Sequence, residues 1–150
     1  MALLKASRQA QYPLSMEFEF NFDDTMVDIN GVTRDFGSLA GGSSAATTYS
    51  VVIGNLPVNA MVTGGAIVRE TAFDAATYNV TMGDTASTNR YLSSTDVKAT
   101  GITALVPTGY RGAGENLVMT FNAADACTTG KARVRVDFVI KERVNEIYPG

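Results

Sequence analysis

The chain has 150 residues with 12 Lys+Arg against 15 Asp+Glu, and it contains no His, no Trp and a single Cys. Without histidine there is no Ser-His-Asp triad, no His-ligated metal and no His pH switch, and the lone thiol of Cys127 builds neither a disulfide framework nor a multi-cysteine zinc site. A net charge of −3 argues against phosphate-backbone binding, and a charged fraction of 18%, below the roughly 25% usual for soluble domains, leaves much of the surface to Thr, Ser, Asn, Ala and Gly.

The length is that of one domain, able to bury a core without a metal or a disulfide. A binding or structural role is therefore expected rather than catalysis, with no cofactor and no nucleic-acid partner. No run approaches 18 consecutive apolar residues, so no membrane-spanning helix is expected. Leu3 and Leu4 are followed by Lys5, too short an apolar stretch for a secretory signal.

Residues 1–15 read as a polar N-terminal arm that ends near Tyr12-Pro13, where the proline favours extended backbone. From Met16 a strict alternation begins. Met16, Phe18, Phe20 and Phe22 alternate with Glu17, Glu19, Asn21 and Asp23, which predicts a strand with one aromatic and one acidic face. Asn30-Gly31 between two short β-prone runs predicts a hairpin closed by a type I′ turn. Residues 37–46 have the Gly/Ser/Ala composition of a flexible loop.

Further strands are expected over residues 48–54, 60–69, 77–82, 102–106 and 116–121. Residues 83–100 are polar, with only Tyr91, Leu92 and Val97 as anchors. A structureless loop of that length is unusual in a compact domain, so it is either functional or hides a short strand. The last strand is the longest, with Ala132, Val134, Val136, Phe138 and Ile140 on one face and Lys131, Arg133 and Arg135 on the other. Its basic face complements the acidic face of the first strand. Pairing the two would set Glu17 and Glu19 near Arg133 and Arg135, each pair contributing about 0.2–1 kcal/mol. No segment of 10 or more residues has a convincing 3.6-residue period; residues 70–76 and 123–126 could each make one helical turn. The expected fold is all-β: a single-domain antiparallel β-sandwich, jelly-roll-like, spanning residues 16–142 between the arm (1–15) and a C-terminal tail (143–150).

Few residues carry a chemical motif. Asp23, Asp24, Asp28 and Asn30-Gly31 resemble a calcium loop, but the glycine falls at the wrong position and no Glu follows at the right distance. Gly109-Tyr-Arg-Gly112-Ala-Gly114 is glycine-rich, yet a strand follows it instead of the helix a phosphate cradle needs. Cys127 has no base to activate it and is expected to be a small semi-buried filler. Nothing in the spacing of Glu70, Asp84 and Asp96 makes them converge, and Asn79-Val80-Thr81 is a sequon inside an expected strand. No catalytic and no metal-binding residues are assigned.

One resemblance emerges over residues 70–142. A strand ending in Val80-Thr-Met-Gly83-Asp84 runs into Thr88-Asn-Arg90-Tyr91-Leu92. Ala99-Thr-Gly-Ile-Thr-Ala-Leu-Val-Pro-Thr-Gly-Tyr110-Arg and Leu117-Val-Met-Thr-Phe-Asn follow, and Ala132-Arg-Val-Arg-Val-Asp-Phe-Val-Ile-Lys closes the pattern. This resembles the capsid decoration, or cement, proteins of tailed bacteriophages, with a Gly-Asp turn and an Asn-Arg-Tyr anchor as its marks. The resemblance implies a non-enzymatic virion protein assembled in the host bacterial cytoplasm. It would bind the capsid exterior and cement neighbouring capsomers, with the major capsid protein and copies of itself as partners. The expected contact residues are Leu3, Leu4, Lys5, Arg8 and Tyr12 in the arm and Ile147 and Tyr148 in the tail. The alternative is a receptor- or carbohydrate-binding β-sandwich of a phage tail or fibre. Lacking Trp, such a module would draw its aromatic platform from Tyr49, Tyr78, Tyr91, Tyr110 and Tyr148, although Tyr78 reads as inward. A small hydrolase without histidine is the least favoured reading.

Overall fold

The structure, a computed structural model, describes residues 14–37 and 47–140. They form eleven strands in chain order: β1 (Leu14–Asn21), β2 (Thr25–Val27), β3 (Thr33–Asp35), β4 (Thr47–Asn55), β5 (Val58–Thr71), β6 (Thr77–Asp84), β7 (Ser87–Asp96), β8 (Gly101–Ala104), β9 (Arg111–Ala113), β10 (Asn116–Ala124) and β11 (Lys131–Ile140). No helix occurs among the described residues, so residues 70–76 and 123–126 do not form the helical turns their composition allowed; both stretches begin by extending a strand.

Two sheets stack into a sandwich, one in the order β1-β11-β5-β8 with β9 also on β5, the other in the order β4-β10-β6-β7. Setting aside the small β2–β3 pair and β9, the eight principal strands pair first with last, second with seventh, third with sixth and fourth with fifth. That is a long antiparallel ribbon wrapped on itself, the jelly roll.

Alternation explains which side chains lie between the sheets. On β1 the even residues turn inward and Phe20 is fully buried, while Glu17 and Glu19 stay exposed. On β11 the inward set is Ala132, Val134, Val136 and Phe138. Opposite them stand Tyr49 and Val51 of β4, Tyr78, Val80 and Met82 of β6, and Leu117, Met119 and Phe121 of β10. One end of the core is aromatic. Phe121 meets Phe20 edge-on at 5.2 Å, Phe36 at 4.9 Å and Tyr49 at 5.3 Å, and Phe73 lies 4.4 Å from Tyr78. Offset and edge-on pairs of this kind contribute about 0.5–1.5 kcal/mol each beyond the area they bury.

The first and last long strands pair as their charges require, with Glu17 opposite Arg135 and Glu19 opposite Arg133. The ion pairs themselves run sideways. Lys131 reaches Glu19 at 3.2 Å and Glu70 of β5 at 3.6 Å, Arg133 reaches Glu70 at 3.1 Å, and Arg135 turns to Asp137 at 3.0 Å. Long side chains reach diagonal neighbours as readily as those directly opposite, so Glu70 on the flanking strand takes the Arg133 charge.

Two local expectations are corrected. The β2–β3 hairpin is not a type I′ turn, because only Gly31 of the Asn30-Gly31 pair has positive φ, at 80°. The Gly31 N–H bonds the Asp28 carbonyl at 3.0 Å and the Asp28 N–H bonds the Val32 carbonyl at 2.8 Å. A three-residue loop with glycine in the left-handed position results. Residues 83–100 are not a loop with a short strand in it, for they hold the ten-residue β7. Its register against β6 shifts between Val80 and Met82 and again between Met82 and Asp84, and Tyr91 and Leu92 are buried side by side. Those irregularities erase the period of two.

Candidate functional site

The Gly-Asp turn and the Asn-Arg-Tyr segment meet in one cluster where β6 turns into β7. The Asp84 carboxyl is 1% exposed. One of its oxygens accepts the N–H of Ala86 at 3.0 Å and of Ser87 at 2.8 Å; the other accepts Arg90 Nε at 2.5 Å and Tyr91 Oη at 3.4 Å. Arg90 then lies over the Tyr110 ring at 3.7 Å, and Tyr110 Oη donates to Glu115 at 2.6 Å. Glu115 also accepts the Ala113 N–H at 2.7 Å. Burial, reinforced by the Asp84 carboxylate, pushes the Tyr91 phenol up to about 12. The bond from Tyr110, with the Ala113 N–H behind it, holds the Glu115 carboxyl below the ordinary range. Gly83 is required here, because a Cβ at that position would fall 1.9 Å from the Ser87 carbonyl oxygen. The chain Asp84–Arg90–Tyr110–Glu115 ties the β6–β7 turn to the β9–β10 turn and uses every charge in doing so. It is an anchor and leaves no free base or nucleophile.

The hairpin repeats the device. Asp28 is 4% exposed, and its carboxylate accepts the N–H groups of Asn30 at 2.8 Å and Val32 at 3.0 Å and Arg34 Nε at 2.7 Å. These bonds, that of Val32 foremost, hold its carboxyl below the usual range. With its acceptors taken up by those donors, the calcium-loop resemblance has its physical explanation in a hairpin turn. Arg34 lies 5.4 Å over the Tyr49 ring, and the Ile29 N–H bonds the Ser50 carbonyl at 2.9 Å, so the hairpin is pinned to the open edge of β4.

The other candidate chemical groups do not come together. Asp84 is paired with Arg90, Asp96 with Lys98 at 3.7 Å, and Glu70 with Lys131 and Arg133. No three potential metal ligands group among the described residues. Cys127 is buried, burial pushes its thiol up, and its N–H bonds the Gly37 carbonyl at 2.6 Å. It borders a shallow depression of about 230 Å³ with Phe22, Asp23, Asp35, Gly37 and Ala126. Tyr49, Tyr78 and Tyr91 are buried, so of the platform tyrosines only Tyr110 reaches the surface among the described residues, with Arg90 on its face. Leu3, Leu4, Lys5, Arg8, Tyr12, Ile147 and Tyr148, together with loop residues 38–46, lie outside the described residues.

What remains is surface, and the two outer faces differ in chemistry. The five-stranded sheet shows the lattice of Glu19, Glu70, Lys131 and Arg133. The four-stranded sheet shows aligned neutral rows: Thr48, Asn122 and Asn79 in one, Ser50, Thr120 and Thr81 in the next. Ser50 and Thr120 share a hydroxyl hydrogen bond of 2.7 Å. The exposed charges on this sheet lie at its β7 edge, where Asp96 stands opposite Asn79 and pairs with Lys98 at 3.7 Å, so covering the β4, β10 and β6 rows alone removes no ion from water. Covering the other face would break or desolvate ion pairs at a cost of several kcal/mol per ion. Sequence reasoning anticipated a neutral surface but not its confinement to one sheet, since only the pairing of β4, β10 and β6 brings those residues into register.

No protein-family model matches this sequence, and no curated protein sequence matches it. Solved structures with the same fold include three chains aligned over nearly their whole length. One, in the capsid asymmetric unit of cyanophage Pam1, is 20% identical with a TM-score of 0.57, over 93% of this chain and 94% of that one. Another, in the acidic stable capsid structure of Helicobacter pylori bacteriophage KHP30, is 16% identical with a TM-score of 0.62, over 97% and 100%. A third, in the capsid of Ralstonia phage GP4, is 11% identical with a TM-score of 0.53, over 93% and 91%. At these identities the likeness is one of fold.

Proposed function

We propose that the chain is a structural virion protein that binds the outer surface of a phage capsid and cements neighbouring capsomers. The observation that carries this reading is the end-to-end match of one jelly roll to chains within three phage capsids. The chemistry of the molecule supports it. The buried acids among the described residues, Asp28 and Asp84, are engaged in holding turns, and no catalytic constellation comes together among those residues. A protein that clamps a shell needs a rigid body and adhesive surfaces instead.

We assign the contact with the major capsid protein to the chain ends, through Leu3, Leu4, Lys5, Arg8, Tyr12, Ile147 and Tyr148, and to the neutral face of the four-stranded sheet. A few buried anchors, Tyr and Arg above all, supply most of the energy of such contacts. A face of hydroxyls and amides is desolvated at little cost when its bonds are remade across the interface. The net charge of −3 fits a protein partner rather than packaged nucleic acid.

The test is co-sedimentation with expanded phage shells that lack this protein. Saturable binding by the wild type is expected. It should weaken at least about tenfold, or about 1.4 kcal/mol, in Leu3→Asp/Leu4→Asp, in Tyr148→Ala and in Thr120→Arg. Absence of saturable binding by the folded wild type refutes the function. Unchanged binding by all three variants refutes the assignment of the contact.

A further inference from the structure

Six large aliphatic side chains are exposed among the described residues, and five of them fall into two sets. Val27, Ile29 and Val32, exposed by 46–57%, sit on the β2–β3 hairpin. Ile102 and Val106, exposed by 66–70%, lie on the β8 side of β5, while Val58 stands apart at the start of that strand opposite Ala113. The topology puts the two sets on opposite edges of the sandwich. The hairpin is bonded to β4, and β4 lies under β1, since Met16 of β1 stands against Gly54 of β4. The second set lies where the Val106 N–H bonds the Tyr91 carbonyl of β7 at 2.8 Å, at the far end of both sheets.

Single exposed aliphatics are ordinary; clusters held in a fixed shape are not. Asp28 spends a buried carboxylate on stiffening a turn whose neighbours face water as aliphatics. On the other edge, the Leu105 N–H bonds the Gly65 carbonyl at 3.0 Å just before Val106. Holding apolar groups ready in a fixed shape lowers the entropy lost when they dock.

Charge divides the same way. Glu17 of β1 and Asp23 of the β1–β2 turn make no hydrogen bond or ion pair among the described residues, and Asp125 adjoins Ala126, which lines the same depression as Asp23. On the opposite edge Arg111 of β9 is likewise unengaged, and Arg69 gives its guanidinium only to the carbonyls of Gly101 and Asp96. Other charges are already engaged: Arg34 with Asp28 on the hairpin, Asp96 with Lys98 and Glu115 with Tyr110 on the other side. With those set aside, one edge is apolar with acids beside it and the other apolar with Arg69 and Arg111 beside it.

We propose that copies of this chain join edge to edge. The Val27–Ile29–Val32 knob of one copy sits against the Ile102 and Val106 edge of the next, with Asp23 and Glu17 facing Arg111 and Arg69. The contact is heterologous: each copy offers both halves, and a closing rotation gives a ring. Knob against knob would set acid against acid, which association disfavours. An edge about 30 Å long and about 15 Å deep offers roughly 450 Å² per copy, from strand rise and sheet spacing. That is below the roughly 800 Å² of a stable complex, so the contact forms at high local concentration.

Sedimentation velocity of the purified chain, with no shell present, tests this separately from shell binding. Runs should span about 10 µM to about 1 mM, the range a small interface implies. The wild type is expected to show a sedimentation coefficient that rises with concentration and rises less in high salt. Ile29→Asp and Ile102→Asp should each weaken association at least tenfold. An equimolar mixture of the two should recover a complex that stops at the dimer, because each variant keeps the half the other has lost. Ile29→Ser and Ile102→Ser repeat the test should an aspartate variant unfold. A wild type that stays monomeric, a variant that associates like the wild type, or a mixture that stays monomeric overturns the proposal.

Discussion

Replacing Asp84 with Asn probes the anchor at the β6–β7 turn most directly. The carboxylate is 1% exposed and meets only donors: two backbone N–H groups, the Arg90 guanidinium and the Tyr91 hydroxyl. Asn removes the charge and turns an NH₂ donor toward those donors. Removing one partner of a buried ion pair costs about 3–5 kcal/mol. The Arg90 side chain is 19% exposed, so water recovers part of its loss and the lower end, about 3 kcal/mol, applies. For a domain of this size that lowers Tm by about 6–12 °C. Arg90→Met should cost less, because Asp84 keeps its two backbone N–H bonds. The two groups are in contact, so the double variant Asp84→Asn/Arg90→Met should cost at least about 1 kcal/mol less than the sum of the singles. Urea unfolding followed by circular dichroism measures all four states of the cycle. A cost for Asp84→Asn within about 0.5 kcal/mol of zero, or strict additivity with Arg90→Met, refutes the claim that this pair holds the turn.

Other outcomes follow from single bonds. Tyr78 Oη donates to the Phe36 carbonyl at 2.9 Å, so Tyr78→Phe should cost about 1–2 kcal/mol in urea unfolding by stranding a buried carbonyl. Tyr49 Oη is buried without a hydrogen-bond partner, and Tyr49→Phe should leave stability unchanged or raise it. The hydroxyl of Thr128 and the N–H groups of Thr128 and Thr129 depress the Asp74 carboxyl to about 2. A depressed folded pKa gives stability that is complete above the unfolded value of about 3.9 and is lost as pH falls from there toward 2. Urea midpoints between pH 5 and pH 2 should therefore fall more steeply in wild type than in Asp74→Asn. Gly83→Ala would drive its methyl into the Ser87 carbonyl oxygen, 1.9 Å away, and should cost more than the about 1–3 kcal/mol of ordinary overpacking; a normal thermal melt would contradict the turn geometry.

Much of the fold was legible because burial leaves a period. β1 and β11 were readable from alternation, and their pairing from the acid and base on their outer faces. β7 was hidden, since its register shifts and its adjacent buried Tyr91 and Leu92 break the alternation. The hairpin position was legible in Asn30-Gly31, but its turn type depended on Asp28 collecting two N–H groups and Arg34. Tyr78 read as inward because it keeps phase with Val80 and Met82. Tyr91 looked available for a ligand because the register shifts of β7 break the alternation that would have marked it, and Tyr49, at the start of its run, was not distinguished either.

The sequence by itself determined the exclusions, from the absence of His and the single Cys, and it determined the regularly alternating strands and their inward faces, though not β7. Period-2 patterning sets which side of a strand meets the core but is silent about its neighbours, which lie tens of residues away in the chain. Only the tertiary structure decided that neutral rows from β4, β10 and β6 make one uncharged face. It likewise decided that the two sets of exposed aliphatics fall on opposite edges. Exposure is set by what the folded chain brings alongside a residue, and no local pattern records that.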